Sequence, residues 1–205
     1  MTTFYYSTNS CSLGIRIILE EIGLPYDSVA IDFKSREQFG PAFGAVNPKR
    51  KVPALVRPDG SLLTEFQAIA FWLAESYPAT SLLATDLEGR IRTMEVMDFI
   101  VASVHMRGFT FIIAPMKFSP SPEAQEDLRA HGRAQADLGF ARLSESLGDK
   151  DWIMGAYSIA DAGVFYLCNW ALQRSVELPV NLAAHHARMK ARPAVQRALA
   201  GEGLA

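Results

Sequence analysis

The feature that most constrains this chain is a change of pattern near residue 80. Before it, strand and helix signals alternate; after it, they are helical only. The aromatic run "TFYYS" (3–7) is β-prone. Ile15, Ile18, Leu19 and Ile22 then recur at three-four spacing, one apolar helix face, and Gly23 marks its end. "YDSVAID" (26–32) alternates as a second strand. "VPALVRPDGSLLTE" (52–65) reads as two short strands joined by an Asp59-Gly60 turn. Thr64 and Gln67 have the spacing of a capping box, which predicts a helix over 65–77. A strand–helix–strand unit requires parallel strands, and a hairpin adds antiparallel ones, so this part predicts a small mixed sheet.

"YPATSLLATD" (77–86) reads as a linker. Thr85 and Glu88 predict a capped long helix over 86–117, with Pro115 near its end. Serine before proline in "SPSPEAQED" predicts a second over 121–147. In "YSIADAGVFYLCNWAL" (157–172), Ser158 and Asp161 have the spacing of a reciprocal cap, with Tyr157 placed to staple the turn. Shorter helices are expected from Asn181 and Pro193. The expected architecture is an α/β domain over 1–79 followed by an all-α domain over 86–205.

The chain has 205 residues, 49% of them hydrophobic and 20% charged, enough to bury a core and ordinary for a globular protein. A formal net charge of -2 with mixed signs offers no electrostatic case for nucleic acid. "FIVASVHMRGFTFIIAPM" is interrupted by His105 and Arg107 and reads as a buried helix, not a membrane span. No basic segment followed by an apolar one opens the chain, so no secretory leader is expected. Two distant cysteines, Cys11 and Cys168, do not form a disulfide framework, which points to a reducing compartment. His131, His185 and His186 lack ligand spacing with acids or cysteines, so no metal is expected. No glycine-rich phosphate loop is present.

Cys11 follows the first strand, at the first turn of the first helix. Two readings fit it. It is a small buried apolar residue, or it is a thiol placed where unpaired amides and the helix dipole favour the thiolate. The second predicts a pKa below that of a free thiol. Cys168, inside an apolar helix, reads as core.

"YYSTNSCSLGIRIILEEIGLPY", "NPKRKVPAL", "LTEFQAIAFWLAE", "YSIADAGVF" and "RPAVQRALAGEGLA", in this order and spacing, resemble the soluble glutathione transferases, most nearly the bacterial beta class. The resemblance covers nearly the whole chain. It implies a thioredoxin-like first domain that binds glutathione and a helical second domain. Cys11 then matches the cysteine that sits against the glutathione sulfur and can form a mixed disulfide with it. Ser10 and Ser12 flank it, and other bacterial members use a serine hydroxyl to hold the glutathione thiolate. Tyr5 and Tyr6 are weaker candidates, being inside the strand. The resemblance makes Val52-Pro53 a cis bond, with the Val52 backbone exposed to pair with the cysteinyl unit of the tripeptide. Glu65 then accepts from the γ-glutamyl ammonium, and the Phe66 amide, at a helix N-terminus, binds the γ-glutamyl carboxylate.

Three residues depart from the family. Phe66 stands where serine or glycine is usual, and brings bulk without a hydroxyl. Arg50 stands where glycine is usual; it or Lys51 reaches glutathione's glycyl carboxylate, or crowds the site. Met106 replaces the lysine of a His-Lys pair whose histidine is kept as His105. On its own helix His105 is either structural or a group that hydrogen-bonds the thiol or polarises a substrate. "FTFIIAPMKF" (109–118) is either plain helix core or lining for a hydrophobic substrate.

The resemblance implies a cytoplasmic, homodimeric glutathione transferase of detoxifying type. It would conjugate glutathione, as co-substrate, to hydrophobic electrophiles, with thiol–disulfide or peroxide chemistry through Cys11 as a further activity. The alternative, motivated by Phe66, Arg50 and Met106, is a transferase-fold binding or scaffold protein that makes little use of glutathione.

Overall fold

A computed structural model describes residues 1–204. The chain divides into two compact units, Met1–Leu83 joined by the segment from Lys190 onward, and Ala84–Met189. The sequence places everything from 86 onward in one helical domain. The packing instead groups the last segment with the first unit.

In the first unit, β1 (Thr2–Tyr6), α1 (Ser12–Ile22) and β2 (Tyr26–Ala30) form the expected strand–helix–strand, with β1 and β2 parallel. Short α2 (Pro41–Val46) precedes the hairpin of β3 (Ala54–Val56) and β4 (Leu62–Thr64). The hairpin turns at Gly60, whose φ of 83° glycine adopts without steric cost. β3 pairs antiparallel with β1, Phe4 opposite Leu55, and the sheet order is β2-β1-β3-β4. Side chains of β1 alternate between faces, as pleating requires. Tyr5 packs on Phe43 of α2, in a cluster with Ile31, Val52 and Ala54. Phe4 and Tyr6 stack on each other beneath the Arg16 guanidinium of α1.

α3 (Phe66–Ser76) and α8 (Pro193–Gly201) both pack against α1. Ion pairs tie α8 and its flanks to α1. Arg192 bonds Glu21 at 2.7 Å, Arg197 bonds Glu20 at 2.9 Å, and Arg16 meets Glu202 at 3.3 Å with both side chains almost fully buried. This pairing explains the grouping of the last segment, which sequence periodicity does not reveal.

The second unit is helical. A continuous helix, α4 (Leu87–Ile113), begins at Asp86, whose carboxylate accepts from the Gly89 amide. The cap is therefore Asp86 and not Thr85, and Glu88 pairs with Arg92. By length and composition α4 could cross a membrane, a test that the core helix of a soluble protein also passes. Its middle, Phe99–Phe109, has π-helical hydrogen bonding. It stops before the expected 117, because Pro115 disfavours a helical residue 114, and Ala114 has φ -136° and ψ 50°. α5 (Pro122–Leu147) starts on the expected serine cap, Ser121 accepting from Ala124. Gly139 of α5 is required for its packing on α4: a Cβ there would lie 2.6 Å from the Val104 side chain.

α6 (Ile159–Gln173) opens with the expected reciprocal cap of Ser158 and Asp161. Tyr157 packs edge-on to Trp152, upstream of the helix. Cys168 lies in the core, as read from sequence. α7 (Val180–Lys190) supplies the buried His185, whose Nε2 lies 2.8 Å from Asp161.

Candidate active site

Cys11 is the N-cap of α1, preceded by a tight turn in which the Ser10 amide donates to Ser7. Its thiol lies 3.8 Å from the Val52 carbonyl, 41 residues away in sequence. The pairing of β1 with β3 makes this approach. Val52-Pro53 is cis, as the resemblance implies.

The expected low pKa is not found. Burial pushes the Cys11 thiol up to about 12. The amides of Cys11 and Ser12 pull the other way, and Glu202 and Glu65 add to the rise. Removing water from the sulfur thus outweighs the helix N-terminus. Iodoacetamide should alkylate Cys11 of the native protein slowly through neutral pH, with a midpoint well above the free-thiol value of about 8.5. Mass spectrometry of alkylated peptides against pH checks this, and a midpoint below that value would contradict it.

Ser10 is half-buried, with its hydroxyl 2.6 Å from Ser12 Oγ and accepting from the Ser12 amide. The Ser12 hydroxyl donates to the Ser7 carbonyl, and the Ser7 amide donates back to it. The two serines brace the loop around Cys11. Tyr5 packs on Phe43 and Tyr6 lies under Arg16, so both belong to the sheet.

Glu65 is the N-cap of α3, and its own side chain makes no capping bond. The sequence-predicted capping box of Thr64 and Gln67 is therefore not what begins the helix. Glu65 has φ 72° and ψ 130°, a region costly for a non-glycine residue and one that clusters at ligand sites. Its carboxylate is exposed and accepts from Lys49 Nζ at 2.7 Å, while Thr64 accepts from the same ammonium at 2.9 Å. Lys49 escaped the sequence reading, which singled out Arg50 and Lys51. Only the fold brings position 49 to position 65.

Phe66 opens α3 with its side chain buried, 5% exposed, so its bulk goes into packing and not into solvent. Arg50 takes φ 55°, which accounts for the glycine usual there, and its Nη1 donates to the Phe39 carbonyl at 2.6 Å. Lys51 is exposed, and its carbonyl accepts from Asn47 Nδ2 at 2.7 Å, fixing the approach to Val52.

Glu202, from the far end of the chain, supports the Cys11 loop. Its Oε2 accepts from the Asn9 amide at 2.8 Å, two residues before the thiol. Asn9 has φ 58°. No local sequence signal links these positions. Among the described residues no group of three or more His, Cys, Asp or Glu is arranged to hold a metal ion.

His105 lies on the π-helical stretch of α4 in the second unit, half-buried, with Nδ1 3.4 Å from Tyr166 Oη and its ring edge-on to Trp170. π-helical turns occur often at functional sites. Met106 is exposed, its sulfur 3.7 Å from the Thr110 hydroxyl, which donates to the nearer His105 carbonyl at 3.1 Å. Within 109–118, Ile112 is buried, Met116 and Phe118 are exposed, and Phe111 packs on Phe118.

Residues 10–76 match the family described as Glutathione S-transferase, N-terminal domain. Over 205 residues, 98% of each protein, the chain is 38% identical to Glutathione S-transferase GstA of Escherichia coli O157:H7. The chain belongs to the glutathione S-transferase family. Its first unit is thioredoxin-like and its second is the helical domain of that family. Among solved structures it is similar to the bacterial beta class glutathione S-transferase of Sphingomonas chungbukensis, with a TM-score of 0.85 and 30% identity over 99% of this chain and 100% of that one. A sphingomonad glutathione S-transferase complexed with glutathione aligns with a TM-score of 0.84 and 31% identity, over 99% and 100% of the two chains.

Proposed function

We propose that this transferase binds glutathione in its first unit and adds it to hydrophobic electrophiles. The observation that carries this reading is the 3.8 Å approach of the Cys11 thiol to the Val52 carbonyl. An extended peptide paired with the Val52 edge by strand-like hydrogen bonds brings its own cysteinyl sulfur beside Cys11. Cys11 is the weaker anion there, since its thiol is pushed up by burial. It therefore acts as a neutral S–H donor to the glutathione thiolate. Ser10 braces the loop. The glutathione sulfur attacks an electrophilic carbon, the new C–S bond forms, and the leaving group departs with the bonding electrons.

Glu65 receives the γ-glutamyl ammonium, with Lys49 holding the carboxylate in place. The first turn of α3, from Phe66, receives the γ-glutamyl carboxylate through the helix N-terminus. The Lys51–Val52–Pro53 segment holds the cysteinyl and glycyl parts. A mixed disulfide between Cys11 and glutathione forms only with an added oxidant.

Titration calorimetry tests the binding half. Heat is expected at millimolar glutathione, and Glu65→Gln should weaken binding roughly tenfold, the equivalent of one hydrogen bond to a charged group. No heat from the wild type would sink the enzyme reading and promote a binding or scaffold protein of transferase fold.

The setting we propose is cytoplasmic and homodimeric, in a detoxifying role. The cysteines are unpaired, and Leu87, Ile91 and Met94 form an exposed apolar stripe along the first turns of α4. Light scattering should give twice the chain mass at micromolar concentration, and Leu87→Glu with Ile91→Glu should halve it. A monomeric wild type would reject the dimer.

A further inference from the structure

The Lys49 ammonium uses two of its three protons within the first unit. It donates to Glu65 Oε1 at 2.7 Å and to Thr64 Oγ1 at 2.9 Å. Among the described residues the ammonium has no further acceptor, and Glu65 Oε2 has no donor. An ammonium has three donors and a carboxylate two accepting oxygens, so the pair keeps one N–H and one oxygen for a ligand. The two side chains are 55% and 61% exposed, where an ion pair adds little to stability. The backbone is nevertheless built to present it. Glu65 takes the costly φ of 72°. Buried Asn47 accepts from the Lys49 amide at 3.1 Å through Oδ1, and donates to the Lys51 carbonyl at 2.7 Å through Nδ2. One side chain thus fixes both the lysine and the approach to the Val52 edge. Thr64 lies opposite Ala54, the residue that follows the cis Val52-Pro53 bond. The Glu65 charge is also felt at the Cys11 thiol, so the pair is within electrostatic reach of the sulfur.

We propose that Lys49 and Glu65 together recognise the zwitterionic amino-acid end of glutathione, Glu65 Oε2 taking the γ-glutamyl ammonium and the third N–H of Lys49 an oxygen of the γ-glutamyl carboxylate. This rests on the binding reading above, and it makes Lys49 a direct ligand contact as well as a support for Glu65. The γ-glutamyl end carries opposite charges on one carbon. The protein sets opposite charges side by side, so each charge of the ligand meets its opposite. A carboxylate has two oxygens, so Lys49 shares it with the first turn of α3. Water leaves the pair when the ligand covers it, and each contact then strengthens. The consequence is selectivity. A peptide without the ammonium, or without the carboxylate, leaves one charge of the pair unmatched. In sequence, Lys49 is one of three neighbouring cations, and only its contact with Glu65 sets it apart from Arg50 and Lys51.

Titration calorimetry with three reduced peptides separates the contacts. They are glutathione, γ-aminobutyryl-cysteinylglycine, which lacks the γ-glutamyl carboxylate, and glutaryl-cysteinylglycine, which lacks the ammonium. The wild type should prefer glutathione to both. In Lys49→Met the preference over the γ-aminobutyryl peptide should shrink roughly tenfold, the equivalent of one hydrogen bond to a charged group. In Glu65→Gln the preference over the glutaryl peptide should shrink by a similar factor. Lys49→Gln is measured alongside, so that poor folding of the methionine variant leaves the comparison intact, and melting temperatures of both should match the wild type. If Lys49→Met and Lys49→Gln weaken glutathione and the γ-aminobutyryl peptide equally, or weaken neither, the lysine does not touch the carboxylate. The proposal is then overturned, while wild-type heat leaves the binding reading standing. Tighter glutathione binding by either lysine variant also overturns it, because Lys49 would then compete with the γ-glutamyl ammonium for Glu65. No heat from the wild type overturns the binding reading and the proposal together.

Discussion

Asp161→Ala is expected to destabilise the protein by at least about 4 kcal/mol, a sum of two orphaned buried amides and a lost partner for a buried imidazole. Asp161 is fully buried and its carboxylate is saturated. Oδ2 accepts from the Ser158 amide at 2.8 Å and from the Ser158 hydroxyl at 3.2 Å. Oδ1 accepts from the Ile153 amide at 2.9 Å and lies 2.8 Å from His185 Nε2. Alanine leaves these donors without an acceptor in a site closed to water. Ser158→Ala removes only the reciprocal half of the cap and should cost about 1 kcal/mol. Urea denaturation of both variants, refolded where soluble yield is low, gives the comparison. An Asp161→Ala loss no larger than that of Ser158→Ala would show that the amides find other acceptors.

The second large effect is expected at Arg16. Its guanidinium is buried against Glu202, lies 4.0 Å from the Tyr6 ring centroid, and donates to Tyr26 Oη at 3.4 Å. Removing one partner of a buried pair strands the other charge, at a cost of about 3–5 kcal/mol. Burial raises the Glu202 carboxyl above its ordinary pKa, while the Asn9 amide and Arg16 pull it down. An acid whose folded pKa is raised holds its proton more tightly in the native state. Its contribution is therefore greatest at low pH and is lost as pH rises through the folded value. Arg16→Met removes a group that lowers this pKa, so the acid window widens upward. The variant should lose about 3–5 kcal/mol at neutral pH and regain part of it under mildly acid conditions, as Glu202 takes a proton. Glu202→Gln strands an arginine that cannot discharge, so its loss should not be regained. Urea melts at the two pH values separate these outcomes, and identical pH dependence of the two variants would count against a charged pair. Because Glu202 also holds the Asn9 amide, both variants should loosen the loop that carries Cys11.

Much of the architecture was legible in the sequence because it is written in local chemistry. A β-prone aromatic run marked β1, alternation marked β2, three-four spacing marked α1, the Asp59-Gly60 pair marked the hairpin, and serine caps marked the starts of α5 and α6. These signals act over one turn or one pleat, so neighbouring residues carry them. The motif resemblance pointed to a cis Val52-Pro53 bond and to the family itself.

What tertiary structure alone decided lies in contacts between distant positions and in the removal of water. The position of Cys11 at a helix start predicts an acidic thiol. The packing around it reverses the sign, because desolvation depends on neighbours that sequence distance hides. Lys49 reaches Glu65 only after the hairpin folds back. The last helix joins the first unit because Arg16 and Glu202 are buried together across 186 residues, and no periodicity encodes a single pair. The π-helical stretch under His105 likewise carries no sequence period of its own. Its Val104 lies against Gly139 of α5, where close approach selects a small residue that, in sequence, looks only like a weak helix former.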